Sequence, residues 1–600
     1  MKLHLWKILW LVGLLVVWNS ALIGGGEMQI AYQVAWAQPN SHYFDVTVTV
    51  TNPGAGPTAF RIPAWRPGRY RIENYTRNVI QFAAADGAGA TLNFRKLDKD
   101  TWEVPHGAIK RIVVTYRYYA NVLDAGSSYL DDREAYLNPV TMLMYLPGRE
   151  HLPVSIRFPN PQGWRVVTAL DIDPVTGAYP AADYHELADS PFLISPDVEV
   201  LEFEYRHARF EIALQSKVDA DLQKLIGDIR EIVRVQSELF GDIPFKRYVF
   251  LYHLVPFRIS HGVEHKNSTS IVRGPVDFSS PEFYFGLLGF TSHEFFHVWN
   301  VERIRPAAIY YPDYSRENYT TGMWFYEGVT SYYDMLTLCR AGLISRYAFY
   351  NDLQRVINGF EKSPGRKLNS PAMTSWDSWG REQDPPPNTT VSFYRSGQLL
   401  GLLLDLEIRG RTANAQSLDA VMRYLYRNYA QKDIGVPEDG IQQAIEAVAG
   451  SSFEAFFRDF VYGTEDIDYN AFLQHAGLEL VEDVDSGTPA AYLGIRLSGD
   501  SRESLIANVF PASPALEAGL AVGDVLLALD GQRANADNLD RLLQPYQPGD
   551  KITLTVFRRE ELRRFEVLLG GGKNTVLNLW ESPEASDAQI RLRDGWLGGE

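Results

Sequence analysis

The sequence predicts a multidomain α+β protein: a β-rich amino-terminal unit, a mostly helical middle and a small β module near the end. Three observations carry this. The chain has 600 residues, more than a single hydrophobic core holds, so roughly two to four domains are expected. Residues 28–206 show period-two alternation and β-branched or aromatic runs with turn signals between them. From about Asp219 the apolar residues switch to helical spacing, and after Gly487 strand-like runs return.

At the start, Lys2 and Lys7 precede the apolar run Ile8 to Trp18, and the small residues Ser20 and Ala21 follow. This is the make-up of a secretory signal, and the run is too short to span a bilayer comfortably, so no stable membrane span is expected. Gly24-Gly25-Gly26-Glu27-Met28 reads equally well as a translated ribosome-binding site ahead of a true start at Met28. The first reading places the mature chain in the periplasm or cell envelope, the second in the cytoplasm. Both stay open.

In the β unit, Tyr43 to Thr51 alternates and Ile112 to Tyr118 is rich in β-branched and aromatic residues. Pro53-Gly54, Pro67-Gly68 and Pro147-Gly148 mark turns. No long amphipathic helix interrupts, so a sandwich or curved saddle of sheets is expected over 28–206. The middle unit, 207–475, opens with Leu222, Leu225, Ile226, Ile229, Ile232 and Val233 at helical spacing. A strand at 248–252 follows, then helices over Phe285–Trp299, Trp324–Leu338 and Gly397–Ile408. The third unit, 487–570, surrounds one or two short helices with strand-like pieces, and residues 571–600 read as a loose tail.

Composition excludes several classes of function. A net charge of −17 without a Lys/Arg cluster argues against nucleic acid. The one cysteine, Cys339, excludes an intramolecular disulfide and a cysteine-rich metal site, and its apolar neighbours Met335, Leu336 and Leu338 predict a buried, inert thiol. There is no convincing Gly-x-Ser-x-Gly elbow, phosphate-cradling loop or dinucleotide fingerprint.

The chemistry points to His293-Glu294-Phe295-Phe296-His297. Residues four apart on a helix share a face, so both imidazoles reach one metal while Glu294 stands beside it as a base. A catalytic zinc needs a third protein ligand and an open position. Glu327 is the candidate, in an aromatic, helical-looking segment and followed by Gly328, which lets elements approach closely. Glu302, one turn beyond the histidines, and Glu317, in a polar loop-like stretch, are its rivals.

His293 to Pro306, read as HEFFHVWNVERIRP, resembles the metal-site signature of the glycyl aminopeptidase family, metallopeptidase family sixty-one. The segment Trp324-Phe-Tyr-Glu-Gly328 is similar to that family's second signature. Ala64-Trp-Arg-Pro-Gly-Arg-Tyr70 and Ser392-Phe-Tyr-Arg-Ser-Gly-Gln-Leu399 are similar to further family landmarks. The likeness runs from about Met28 to the carboxy-terminal module. It implies a thermolysin-like gluzincin with one zinc ion per chain held by His293, His297 and Glu327. It also implies an aminopeptidase preferring peptides with small first residues, glycine and alanine. Gly262-Val-Glu-His265 resembles the Gly-x-Met-Glu-Asn segment of the aminopeptidase N family, with Val and His at the Met and Asn positions. The likeness gives Glu264 the role of receiving the substrate's α-amine, with Gly262 beside it, and Tyr394 that of stabilising the oxyanion.

Tyr492-Leu-Gly-Ile495 begins a pattern similar to a bacterial PDZ domain. It continues through Val509-Phe-Pro-Ala-Ser-Pro-Ala-Leu-Glu-Ala-Gly-Leu520 and Val522-Gly-Asp-Val-Leu-Leu-Ala-Leu-Asp-Gly531. Such domains add an extended peptide to a sheet edge, with Leu493, Gly494 and Ile495 here at the place that captures a C-terminal carboxylate. Two other functions stay open: a zinc endopeptidase, and a non-catalytic scaffold binding peptides through the PDZ module.

Overall fold

The computed structural model describes residues 26–159, 163–215, 217–381, 385–484, 490–499, 503–572 and 575–598. The segment weighed as a signal or a misassigned start therefore falls almost wholly outside the described residues. None of the described helices is long and apolar enough to cross a membrane.

The alternation of Tyr43–Thr51 becomes a strand with Phe44, Val46, Val48 and Val50 buried and the intervening residues half-buried. It pairs antiparallel with Gln29–Ala35 on one side and Arg111–Tyr119 on the other, inside a seven-stranded sheet. A four-stranded sheet containing Ala135–Leu137 and Phe192–Ser195 and a three-stranded sheet containing Thr58–Arg61 share the same apolar core. The unit is a sandwich, as its periodicity requires.

The expected boundary at 206 is corrected. Val198–Tyr205 and Ala208–Gln215 pair along their whole length, so residue 206 sits in a hairpin turn, and both strands belong to the second unit's sheet. That five-stranded sheet continues through Arg247–Leu254 and Ser268–Gly274, both parallel to Ala208–Gln215, and ends on the antiparallel strand Ile259–His265. The helix Leu222–Phe240 packs on it, capped by Asp221, which accepts from Lys224 N, and closed by Gly241 at φ 77°. Further helices include Pro281–Phe296, Thr330–Arg340, Arg346–Glu361 and Phe393–Arg411. Cys339 is half-buried rather than buried, and burial pushes its thiol pKa up, which leaves it unreactive.

The carboxy-terminal module is a sheet ordered Ile495–Gly499, Ser504–Val509, Val525–Leu529, Lys551–Arg558, Glu561–Leu568 over its own small core. The loose tail expected at 571–600 is a second correction. Thr575–Glu581 pairs with Leu478–Val484, and the helix Asp587–Leu597 sends Leu592, Trp596 and Leu597 into the core of the middle unit.

Candidate active site

The helix Pro281–Phe296 begins at Ser280, whose hydroxyl accepts from Phe283 N, with Pro281 in the first position. Leu287, Leu288, Phe295 and Phe296 bury its apolar residues in the core. His293 and the C-cap residue His297 are left together, their ring centroids 4.7 Å apart.

Glu327 comes from a π-helical turn, Trp324–Val329, which inserts a residue into the helix and re-aims its side chain. Its Oε2 lies 3.4 Å from His297 Nε2 and 3.8 Å from His293 Nε2. The amide of Asn300 holds the turn by donating to the carbonyls of Phe325 and Tyr326 and to the Thr330 hydroxyl. On the far side of the rings, His297 Nδ1 lies 2.5 Å from the Asn300 carbonyl and His293 Nδ1 lies 3.6 Å from Asp334 Oδ2. Such partners fix which ring nitrogen faces a metal. Glu302 instead pairs with Arg305 at 2.7 Å, and neither it nor Glu317 joins a ligand group among the described residues.

One donor atom from each of His293, His297 and Glu327 lies within 4.8 Å of the others. Two imidazoles and a carboxylate, each backed by fixed neighbours, fit a divalent ion with a coordination position left open, and suit zinc.

Glu264, Glu294 and His297 form a second such group within 4.8 Å. Glu294 is buried, its Oε2 without a hydrogen-bond partner among the described residues, and burial pushes its pKa up to about 7 against the pull of the two imidazoles. Gly262 makes room for it: a β-carbon there would lie 2.0 Å from Glu294 Oε1. Glu264 projects from the edge strand Ile259–His265, its Oε1 likewise without a partner among the described residues and its pKa raised by burial against the pull of His297. Tyr394 opens the helix Phe393–Arg411 with its ring 6.3 Å from that of His293. A cavity of about 920 Å³ lies between the amino-terminal and middle units, bordered by Arg66, Asp189, Glu264, His265, Glu302 and Arg305.

With this geometry established, the family is plain. The model of the Peptidase M61 N-terminal domain matches residues 31–196, that of the M61 glycyl aminopeptidases matches 286–400, and that of a PDZ domain matches 491–569. The chain belongs to the M61 peptidases. It is a metallopeptidase, a hydrolase carrying a PDZ domain. A crystal structure of an aminopeptidase N family protein from Idiomarina loihiensis is similar over 95% of this chain and 100% of that one, at 27% identity and a TM-score of 0.87. A probable periplasmic DegP-like serine endoprotease from Halomonas elongata is 33% identical over 99 residues. That stretch is 14% of this chain, which spans about a fifth, 21%, of that relative's length.

In the M61 chain the structure thus gathers all six sequence-predicted residues of the metal, base and amine positions and sets Tyr394 beside them. Sequence reading missed Asn300 and Asp334, which stand behind the histidines, and read Arg66–Gly68 as a turn and a family landmark without placing it at the site, where it reaches in from the amino-terminal unit. Two signals were available: Asn300 follows His297 by three residues, and Asp334 follows Glu327 by seven, two helical turns along one face. In the PDZ domain Gly494 adopts φ 84°, and Ile495–Gly499 is an edge strand of the sheet.

Proposed function

We propose that the chain is a zinc-dependent aminopeptidase that removes small first residues, glycine and alanine, from peptides. One observation carries the reading: a buried acid, Glu264, shares His297 with the base Glu294, in a group interlocked with the metal-ligand set. An unpartnered carboxylate in that position is a counter-charge for an ammonium group.

His293, His297 and Glu327 would hold the zinc. When bound, zinc supplies Lewis acidity, polarising a carbonyl and lowering the pKa of water. Glu294 takes the proton of the attacking water and passes it to the departing amine. Its place against the bare backbone of Gly262 keeps the carboxylate aimed. Tyr394 donates a hydrogen bond to the oxygen that gains charge, an effect of about 3 kcal/mol for donors of this kind. Glu264 holds the free amine, which sets the register of cleavage at the first peptide bond. The edge strand Ile495–Gly499, led by Leu493 and Gly494, takes a peptide C-terminus by strand addition.

The test is cleavage of free and N-acetylated alanyl and glycyl peptides, with leucyl peptides for comparison, with and without a chelator. Chelator-sensitive cleavage confined to free alanyl and glycyl peptides is expected. Equal cleavage of acetylated peptides would replace this reading with an endopeptidase, and equal cleavage of leucyl peptides would remove the small-residue preference.

A further inference from the structure

The amino-terminal sandwich sends one turn against the Glu264 carboxylate. At Gly68, where φ is 73°, a β-carbon would lie 2.9 Å and 3.2 Å from the two oxygens of Glu264 and 3.1 Å from Arg66 Nη1. Arg66 is buried, 2% exposed, and its Nη1 donates to the Pro67 carbonyl at 2.9 Å. Its guanidinium lies against the backbone of Gly126, where a β-carbon would fall 2.1 Å from Cζ. Gly126 is in turn held by Asp124, which accepts from its amide at 2.9 Å. Among the described residues Nη2 of Arg66 has no hydrogen-bond partner, and Arg66, Pro67 and Glu264 all border the interdomain cavity.

A buried, braced arginine with an unpartnered nitrogen, set beside a buried carboxylate with an unpartnered oxygen, is costly unless the pair serves a third group. Arg66 feels the charge of Glu264, yet among the described residues the two form no close ion pair, and the other acids near Arg66, Glu73 and Asp124, are joined to Arg69, Arg71 and His261. The bare glycine between them sets how far the Glu264 side chain extends outward.

We propose that the Arg66–Pro67–Gly68 turn is the outer wall of the amine subsite, with Gly68 and Arg66 as positioning residues that hold the Glu264 carboxylate on the side of Glu294 and His297. Gly68 limits the carboxylate sterically from outside, as Gly262 admits Glu294 from inside. Arg66 fixes the charge beside it. The proposal rests on Glu264 as the amine anchor, and its test separates the two.

The experiment is a double-mutant cycle on Gly68→Ala and Glu264→Asp in the full chain. It reads KM, kcat and bound metal, with alanine 4-nitroanilide as the free-amine substrate. Gly68→Ala is expected to lower kcat/KM about tenfold, chiefly through KM, with metal content unchanged. In the Glu264→Asp background, whose carboxylate is drawn back from the turn, the same change costs less than about threefold. Backbone strain at residue 68 is the same in both backgrounds and cancels. Equal losses in the two backgrounds overturn the wall. If Gly68→Ala does not fold, the cycle is run with Arg66→Lys against Glu264→Gln, where a KM effect confined to the wild-type carboxylate supports the wall and an equal effect overturns it. An unchanged KM for Glu264→Gln alone would instead defeat the amine-anchor reading.

Discussion

Gly328 and Gly397 meet backbone to backbone: a β-carbon on Gly328 would lie 2.4 Å from the Cα of Gly397, and one on Gly397 would lie 1.8 Å from the carbonyl oxygen of Trp324. This crossing packs the Phe393–Arg411 helix, with Tyr394 in its first turn, against the π turn that carries Glu327. Overpacking a core costs about 1–3 kcal/mol, and here the obstacle is main chain, which does not rotate away. Gly397→Ala is therefore expected to lower the melting temperature and to weaken metal binding by more than about tenfold. Calorimetry and a zinc-competition titration read the two effects. A variant that loses stability but binds metal as the parent does would detach Glu327 from the crossing.

Gly262→Ala separates the base from the metal ligands. The added methyl group would overlap Glu294, and the carboxylate has to swing away from the edge strand. The three atoms nearest that methyl group all belong to Glu294. Expected are a loss of kcat of about a hundredfold or more, near that of removing a general base, and unchanged metal stoichiometry. Retained kcat would mean that Glu294 works from another position.

Asp334 is the partner of His293 Nδ1, and burial raises its pKa to about 6 against the pull of that imidazole. Asp334→Asn keeps the shape and removes the charge that orients the ring. Partners of this type are worth about 10–100-fold in metal affinity. A competition titration should show a loss in that range, with the protein folded by circular dichroism. An unaltered affinity would assign the orientation of His293 to helix packing alone.

The PDZ domain is tied to the loop that leads into Tyr394. Asn388 donates to the Val509 carbonyl and accepts from the Asn508 amide, both at 2.9 Å. Removing its side chain leaves both groups seeking other partners, at about 1 kcal/mol each when part-buried. Asn388→Ala is expected to make the 385–392 loop and the Ser504–Val509 strand exchange amide hydrogens faster while the metal-site helices stay protected. Unchanged exchange in the loop would mean that the two units touch without restraining each other.

What the sequence disclosed follows from what periodicity encodes. Spacing reports the face a residue occupies, so the pair His293 and His297 and the alternation of Tyr43–Thr51 were legible. Gly328 beside Glu327 signalled close approach, and the approach is there. Spacing does not report a partner. Val198–Tyr205 has the same strand character as the sandwich before it, and only its pairing with Ala208–Gln215 assigns it to the next unit. Asp334 and His293 meet because two helices cross, and Gly68 meets Glu264 because two domains do. The start of the His293 helix was read four residues late because its bulky aromatics hid the Ser280-Pro281 cap.

The carboxy-terminal segment is the clearest case of a partner that local pattern conceals, and it makes the last prediction. Trp596 is fully buried and its Nε1 donates to the Tyr332 hydroxyl at 2.6 Å, while Tyr332 donates to Asp405 at 2.7 Å. Arg340 Nε donates to the Trp596 carbonyl at 3.0 Å. Tyr332 and Arg340 lie on the helix that continues from the Glu327 turn, so the chain's last helix braces the metal-site helix from behind. Trp596→Ala opens a large cavity and removes a donor, a loss of about 3–5 kcal/mol for an aromatic of this burial. Trp596→Phe keeps most of the volume and is expected to cost about 1–3 kcal/mol for the orphaned hydroxyl. Urea denaturation should rank parent, Phe and Ala in that order, and truncation at residue 574 should fall at or below Ala. A truncated chain with the parent's midpoint would show that this helix lies on the core without supporting it, and the tail reading would return.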